Sequence, residues 1–140
     1  MAVTGSAGVN TVTINGTALA TGDLGDGNDV LDVAGTLDTG AGVFALGDGD
    51  VTLTIHENTN IVGTVSAGAG NDIFDFDVMG SQKQITDFTA GEDLVDLRTL
   101  LAWYGGSDPL ASNAISLTAV SGGVLLSVKA SAGGALRGLV

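Results

Sequence analysis

Short runs that alternate between apolar and polar residues recur along the first half of the chain, each introduced by glycines. Leu31 and Val33, Leu53 and Ile55, and Phe74 and Phe76 fall on one side of three such runs, with Asp32, Thr54 and Asp75 on the other. A period of two predicts strands with one buried face. Between them lie two more β-prone runs, Val43-Phe44-Ala45-Leu46 and Ile61-Val62-Gly63-Thr64-Val65. Each unit of about 20 residues is therefore expected to hold two short strands and two turns. The density of Gly, Thr and Asn argues against helix here.

The runs belong to an internal repeat. Gly25-Asp26-Gly27-Asn28-Asp29-Val30-Leu31-Asp32-Val33, Gly47-Asp48-Gly49-Asp50-Val51-Thr52-Leu53-Thr54-Ile55 and Gly68-Ala69-Gly70-Asn71-Asp72-Ile73-Phe74-Asp75-Phe76 align without gaps. Ser6-Ala7-Gly8-Val9-Asn10-Thr11-Val12-Thr13-Ile14 is a degenerate copy upstream, and the spacings between copies are 19, 22 and 21 residues. One unit cannot bury its apolar face alone, whereas a stack can. The expected fold is all-β, a short parallel β-roll or β-solenoid with Gly-Asp-rich turns. An antiparallel β-sandwich with Gly-rich hairpins is the alternative.

Charge sharpens this picture. The 140 residues carry 16 acidic and 4 basic groups, a net of -12, and residues 1–82 hold 11 acidic groups with no Lys or Arg. Carboxylates without basic neighbours repel one another in a compact state, so either cations neutralise them or they form a solvated acidic surface. The balance argues against nucleic acid or an anionic membrane as partner. The absence of cysteine excludes a disulfide scaffold and a Cys-ligated zinc site. No apolar run approaches the roughly 20 residues of a membrane-spanning helix. The segment Met1-Ala2-Val3-Thr4-Gly5 lacks the basic and apolar regions of a cleaved signal peptide.

The turns suggest a specific cation. Gly-x-Gly-Asn-Asp places backbone carbonyls and a carboxylate on one tight loop, and calcium takes six to eight such oxygens. One loop supplies about half a shell, and a stacked neighbour supplies the rest. The loop at 25–29 is expected to face that at 47–50, which in turn faces that at 68–72. The candidate ligands are Gly25, Asp26, Gly27, Asp29, Gly47, Asp48, Gly49, Asp50, Gly68, Gly70 and Asp72. Ordinary turns held by Asx hydrogen bonds are the other reading of the same residues.

These motifs resemble the calcium-binding nonapeptide Gly-Gly-x-Gly-x-Asp-x-U-x of RTX (repeats-in-toxin) proteins, where U is apolar. Gly25-x-Gly27-x-Asp29-x-Leu31 and Gly68-x-Gly70-x-Asp72-x-Phe74 match all but the first Gly, while Val51 replaces the Asp of the middle copy. The resemblance thus implies one or two calcium ions rather than a regular row. Downstream, the segment from Gln84 through Ile85, Asp87, Phe88, Gly91, Asp93, Asp96 and Leu97 to Leu101 resembles the Ile-x-Asp-Phe-x-x-Gly-x-Asp-x-x-Asp-Leu stretch that follows the repeats in type I secretion substrates, large adhesins among them. The runs Ala114–Leu117, Gly122–Val128 and Leu136–Val140 fit the same ending.

The resemblance implies a boundary at 77/78, with a repeat region at 1–77 and a β-rich capping and secretion-target segment at 78–140. It further implies a non-catalytic calcium module of a larger secreted or cell-surface protein, with domains upstream and a type I apparatus as partner. A structural solenoid piece of an adhesin or autotransporter passenger is the second expectation, and a fragment of a carbohydrate-acting β-helix enzyme the third. His56 is the only histidine, and no spacing matches a catalytic motif; His56-Glu57 lacks the second His of a metalloprotease helix. His56 reads as a loop residue after the strand at 51–55. In the tail, 85–88 and 94–97 read as strands, Arg98–Tyr104 as one or two helical turns, and 115–119 with 124–128 as a hairpin. Trp103 and Tyr104 read as cap packing, and Asp87, Asp93 and Asp96 as turn residues more than calcium ligands.

Overall fold

The computed structural model describes residues 1–56, 59–77, 87–120, 123–129 and 131–138. Among these residues thirteen strands occur in chain order: β1 (Ala2–Thr4), β2 (Thr11–Ile14), β3 (Thr17–Leu19), β4 (Thr21–Asp23), β5 (Val30–Val33), β6 (Thr36–Ala45), β7 (Thr52–Ile55), β8 (Asn60–Ser66), β9 (Ile73–Phe76), β10 (Leu94–Asp96), β11 (Ile115–Val120), β12 (Gly123–Lys129) and β13 (Leu136–Gly138). Among the described residues there is no helix, and so none long and apolar enough to cross a membrane.

The chain coils into a parallel β-solenoid of about four turns. One sheet stacks β2, β5, β7, β9 and β10, with Thr11 opposite Val30, Val30 opposite Thr52, Thr52 opposite Ile73 and Ile73 opposite Leu94. The other stacks β1, β4, β6 and β8, with β3 beside the first half of β6. Every pairing in these two sheets is parallel, which excludes the antiparallel sandwich. The sequence spacings of 19, 22 and 21 reappear as the strand registers, because each rung must return its apolar residues to the same inward position. β6 shifts register between Asp38 and Val43, where a bulge takes up the longer third rung.

The inward positions form ladders. Leu31, Leu53 and Phe74 stack over one another, as do Val33, Ile55 and Phe76, and Phe44, Val65, Leu24, Leu46 and Ala67 meet them from the opposite sheet and its turns. Each fully buried side chain of this size contributes about 1.5–3 kcal/mol. The N-terminal end of the cylinder is open, and Val3, Val12, Ala18 and Phe44 border a depression there of about 250 Å³.

The ladder continues past residue 77, because β10 pairs with β9 at a further spacing of 21. Of the expected strand at 85–88, residues 85 and 86 lie outside the described residues, and Asp87 and Phe88 are not in a strand. The ring of Phe88 lies 6.1 Å from that of Phe74. The stretch after β10 is a chain of turns instead of a helix. Only Leu101 N–H reaches back four residues, to Leu97 O at 2.8 Å, while Ala102 and Tyr104 bond three residues back. A segment this short before Gly105-Gly106 cannot repay helix nucleation.

β11 and β12 form the expected antiparallel hairpin, with Ile115 opposite Val128, and β13 adds a third strand. Leu100, Leu126 and Val128 join the same apolar cluster as the solenoid core, so this small β-rich tail caps the structure. The Trp103 indole donates to Lys129 O at 3.2 Å and packs edge-on against Tyr104, pinning the turns to β12.

Candidate functional site

The Gly-rich loops stack along one edge of the solenoid. Gly8 N–H donates to Asp26 O, Gly27 N–H to Asp48 O and Gly49 N–H to Ala69 O, at 2.7–2.8 Å. Loops 25–29, 47–51 and 68–72 therefore face one another as expected, with loop 6–10 beneath them. Glycine is required at this spacing. A Cβ on Gly47, whose φ is +94°, would lie 1.7 Å from Gly25 O, and one on Gly68 2.0 Å from Gly47 O. The close stacking ends at the fourth loop: a Cβ on Gly91, in a fifth copy, would meet nothing within 4 Å.

Within each loop the candidate ligands separate into two classes. Asp26, Asp48 and Asp50 point outward and are exposed. Asp48 accepts from Ala69 N–H at 3.2 Å, and Asp50 accepts from the backbone and side chain of Asn71 at 3.1 Å. Those bonds hold the Asp50 carboxyl below its ordinary range. Asp29 and Asp72 turn inward and are buried, 0% and 1% exposed. Their carboxylates clamp the rung below: Asp29 Oδ1 accepts from Asn10 N–H at 2.7 Å, and Asp72 Oδ1 accepts from Val51 N–H at 3.0 Å. Where Val51 stands in the Asp position no such clamp exists, and Asp29 N–H turns to Gly27 O of its own loop.

In both inward residues the second oxygen, Oδ2, is buried without a hydrogen-bond partner. A buried charged oxygen without a partner is costly, and such positions call for a counter-charge. Burial pushes the Asp72 carboxyl above its ordinary range, and Asp93, Asp87 and Asp50 add to the effect. Two residues of the tail segment join this edge. Asp93 Oδ1 accepts from Asp72 N–H at 3.0 Å, repeating the clamp one rung higher. Asp87 Oδ2 accepts from Ser66 Oγ at 2.6 Å and Gly68 N–H at 2.8 Å, and its Oδ1 is also buried without a partner. Asp96 stands apart, on the outer face of the sheet, where the Arg98 guanidinium pairs with it and holds its carboxyl low.

Among the described residues no three His, Cys, Asp or Glu side chains converge to hold a metal. A metal at this edge would have to draw on loop carbonyls, with one buried carboxylate per gap, and a hard oxygen-seeking cation suits that donor set.

His56 follows β7 as expected, but it is not a plain loop residue. Its Nε2 lies 2.9 Å from Asp32 Oδ1 and its Nδ1 2.6 Å from Asp77 Oδ2, so the ring bridges three successive rungs on the outer face. Sequence reasoning missed this because the three residues come together only through the 22- and 21-residue offsets. It also missed the hydrogen bonds of Asn10 to the loop carbonyls and Asp29, although the alignment of the degenerate first copy places it in the column of Asp29 and Asp72. Comparison with protein-family models, curated proteins and solved structures returns no match for this chain.

Proposed function

We propose that this chain is a non-catalytic calcium-binding module of the RTX type, serving the secretion and extracellular folding of a larger protein. The observation that carries the reading is the pair of buried carboxylates, Asp29 and Asp72, each with one oxygen unpartnered, on the edge where the Gly-rich loops stack. The acidic surplus of the first 82 residues, with no Lys or Arg to offset it, supports the same reading. Calcium bound between loops binds the coiled chain and not the open one, so it shifts folding by mass action. A chain held open where calcium is scarce and closed where it is plentiful suits export before folding, with the tail segment 78–140 read by a type I apparatus and the product secreted or held at the cell surface.

The test is a reporter fused upstream of the full chain, of a version ending at residue 80, and of residues 78–140 alone, each expressed with a type I apparatus. The reading expects export of the first and third; equal export of the version ending at 80 would reduce the tail to a cap.

A second reading, a structural solenoid segment of a surface adhesin, draws on a different observation. The clamps from Asp29 and Asp72 to the rung below are complete without metal. Calcium titration separates the two, because a spacer of this kind gains no stability from the ion.

A further inference from the structure

The first loop contains a group that the others lack. Asn10 Nδ2 lies 2.8 Å from Ser6 O, 2.7 Å from Gly8 O, 3.1 Å from Leu24 O and 3.1 Å from Asp29 Oδ1. An amide nitrogen has two hydrogens, so four oxygens converge on a donor that can fully serve two. The orientation is fixed chemically, because the reversed amide would set its carbonyl oxygen against all four. Three carbonyls and a carboxylate around one positive group make the donor set of a hard-cation shell, held slightly wider than the 2.3–2.6 Å of calcium.

The registers carry this ring up the stack. Between the second and third loops its members become the Gly25, Gly27 and Leu46 carbonyls, with Asp29 in the place of Asn10 and Val51 in the place of Asp29. Between the third and fourth loops they become the Gly47, Gly49 and Ala67 carbonyls, with Val51 in the place of Asn10 and Asp72 in the place of Asp29. At these inward positions each upper ring thus has one carboxylate and no amide, the bonds of Asn28, Asp48, Asp50 and Asn71 lying on the exposed side of the loops, and both Asp29 and Asp72 have an unpartnered Oδ2. In the lowest gap the positive end of an amide faces the carboxylate.

We infer that the side-chain amide of Asn10 is a built-in substitute for a cation, closing the gap between the first and second loops to metal while leaving around itself an oxygen ring that takes a hard divalent cation once the amide is removed. The counterpart rings above it rest on the calcium reading; the one around Asn10 does not, since its four oxygens are in place in this chain.

The experiment is calorimetric titration of metal-free protein with calcium chloride, on the wild type, Asn10→Asp and Asn10→Ala, with thermal melts in EDTA and in calcium. Asn10→Asp should bind one calcium more than the wild type, and its melting temperature should fall in EDTA and recover in calcium. Asn10→Ala leaves the lowest gap with the same donors as the gap above the third loop, and should also gain one ion, about tenfold more weakly for want of the second carboxylate. If Asn10→Asp does not fold in either condition, the Asn10→Ala stoichiometry decides. An unchanged stoichiometry in the folded variants overturns the inference, even where the wild type binds calcium. Conversely, a wild type that binds none beside variants that bind one upholds the inference and overturns the calcium reading of the native loops.

Discussion

The lowest gap of the loop stack and the two above it share one backbone arrangement and differ in how their charge is met. Below, Asn10 donates to Asp29, and the oxygens have a positive group among them. Above, Asp29 and Asp72 each present a buried oxygen with no donor. The repeat pattern sets where the loops stack, and a single side chain per rung decides whether the stack is self-sufficient. The lower rungs are accordingly expected to hold their form in any medium, and the upper ones to depend on a cation.

The largest effect should come from separating the two regions. Gly47→Val forces a branched side chain into the position 1.7 Å from Gly25 O at a φ of +94°. It should cost more than about 3 kcal/mol, read as a collapse of the urea midpoint. Gly8→Ala, with open space around it, should cost about 1 kcal/mol for its backbone conformation alone.

Asp72→Asn sharpens the comparison, because it keeps the oxygen that accepts from Val51 N–H and removes the buried charge. In EDTA it should raise stability by about 1 kcal/mol, and in calcium it should lower both stability and affinity. The same change in melting under both conditions would contradict the account.

The pH dependence follows from the same residue. The Asp72 carboxyl titrates above its ordinary value of 3.8 in the folded chain, so between the two values the folded state binds more protons. Its contribution is fully present below 3.8 and is lost as pH rises through the folded value. Asp75 acts in the same direction, raised by burial and then by Asp77 and Asp96. Asp96 opposes them, since its bonds to Arg98 give stability that is lost on acidification. Metal-free protein should therefore gain from Asp72 as pH falls from neutrality toward about 4, and melts of wild type against Asp72→Asn across that range should converge at the acidic end.

The smallest effect is expected on the outer face. His56→Ala removes two contacts that are partly exposed, and should cost about 1 kcal/mol or less in melts with or without calcium.

The fold was legible because it rests on periodicity. The alternation at Leu31–Val33, Leu53–Ile55 and Phe74–Phe76 and the 19, 22 and 21 spacings became the registers directly, since a solenoid pairs each residue with its counterpart one repeat away. Chemistry within the loops was half legible. The motif marked Asp29 and Asp72 as ligand positions together with Asp26, Asp48 and Asp50, and did not distinguish the buried pair from the three that are exposed along the same loops. The fifth copy, Thr89-x-Gly91-x-Asp93, escapes the motif because its first Gly is absent, yet Asp93 repeats the clamp on Asp72. The Asp32–His56–Asp77 bridge depends on offsets between rungs that no local window contains.

On the proposed reading the lower rungs are complete in themselves and the upper ones are completed by a cation. Residue-resolved amide hydrogen exchange in EDTA and then in calcium tests it directly, because protection reports local opening rung by rung. The amides of Val30, which bonds Asn10 O, and of Asn10, clamped by Asp29, should exchange at similar rates in both media. Those of Val51, Ile73 and Leu94 should become markedly more protected in calcium. Protection that rises equally in all rungs, or in none, would contradict it.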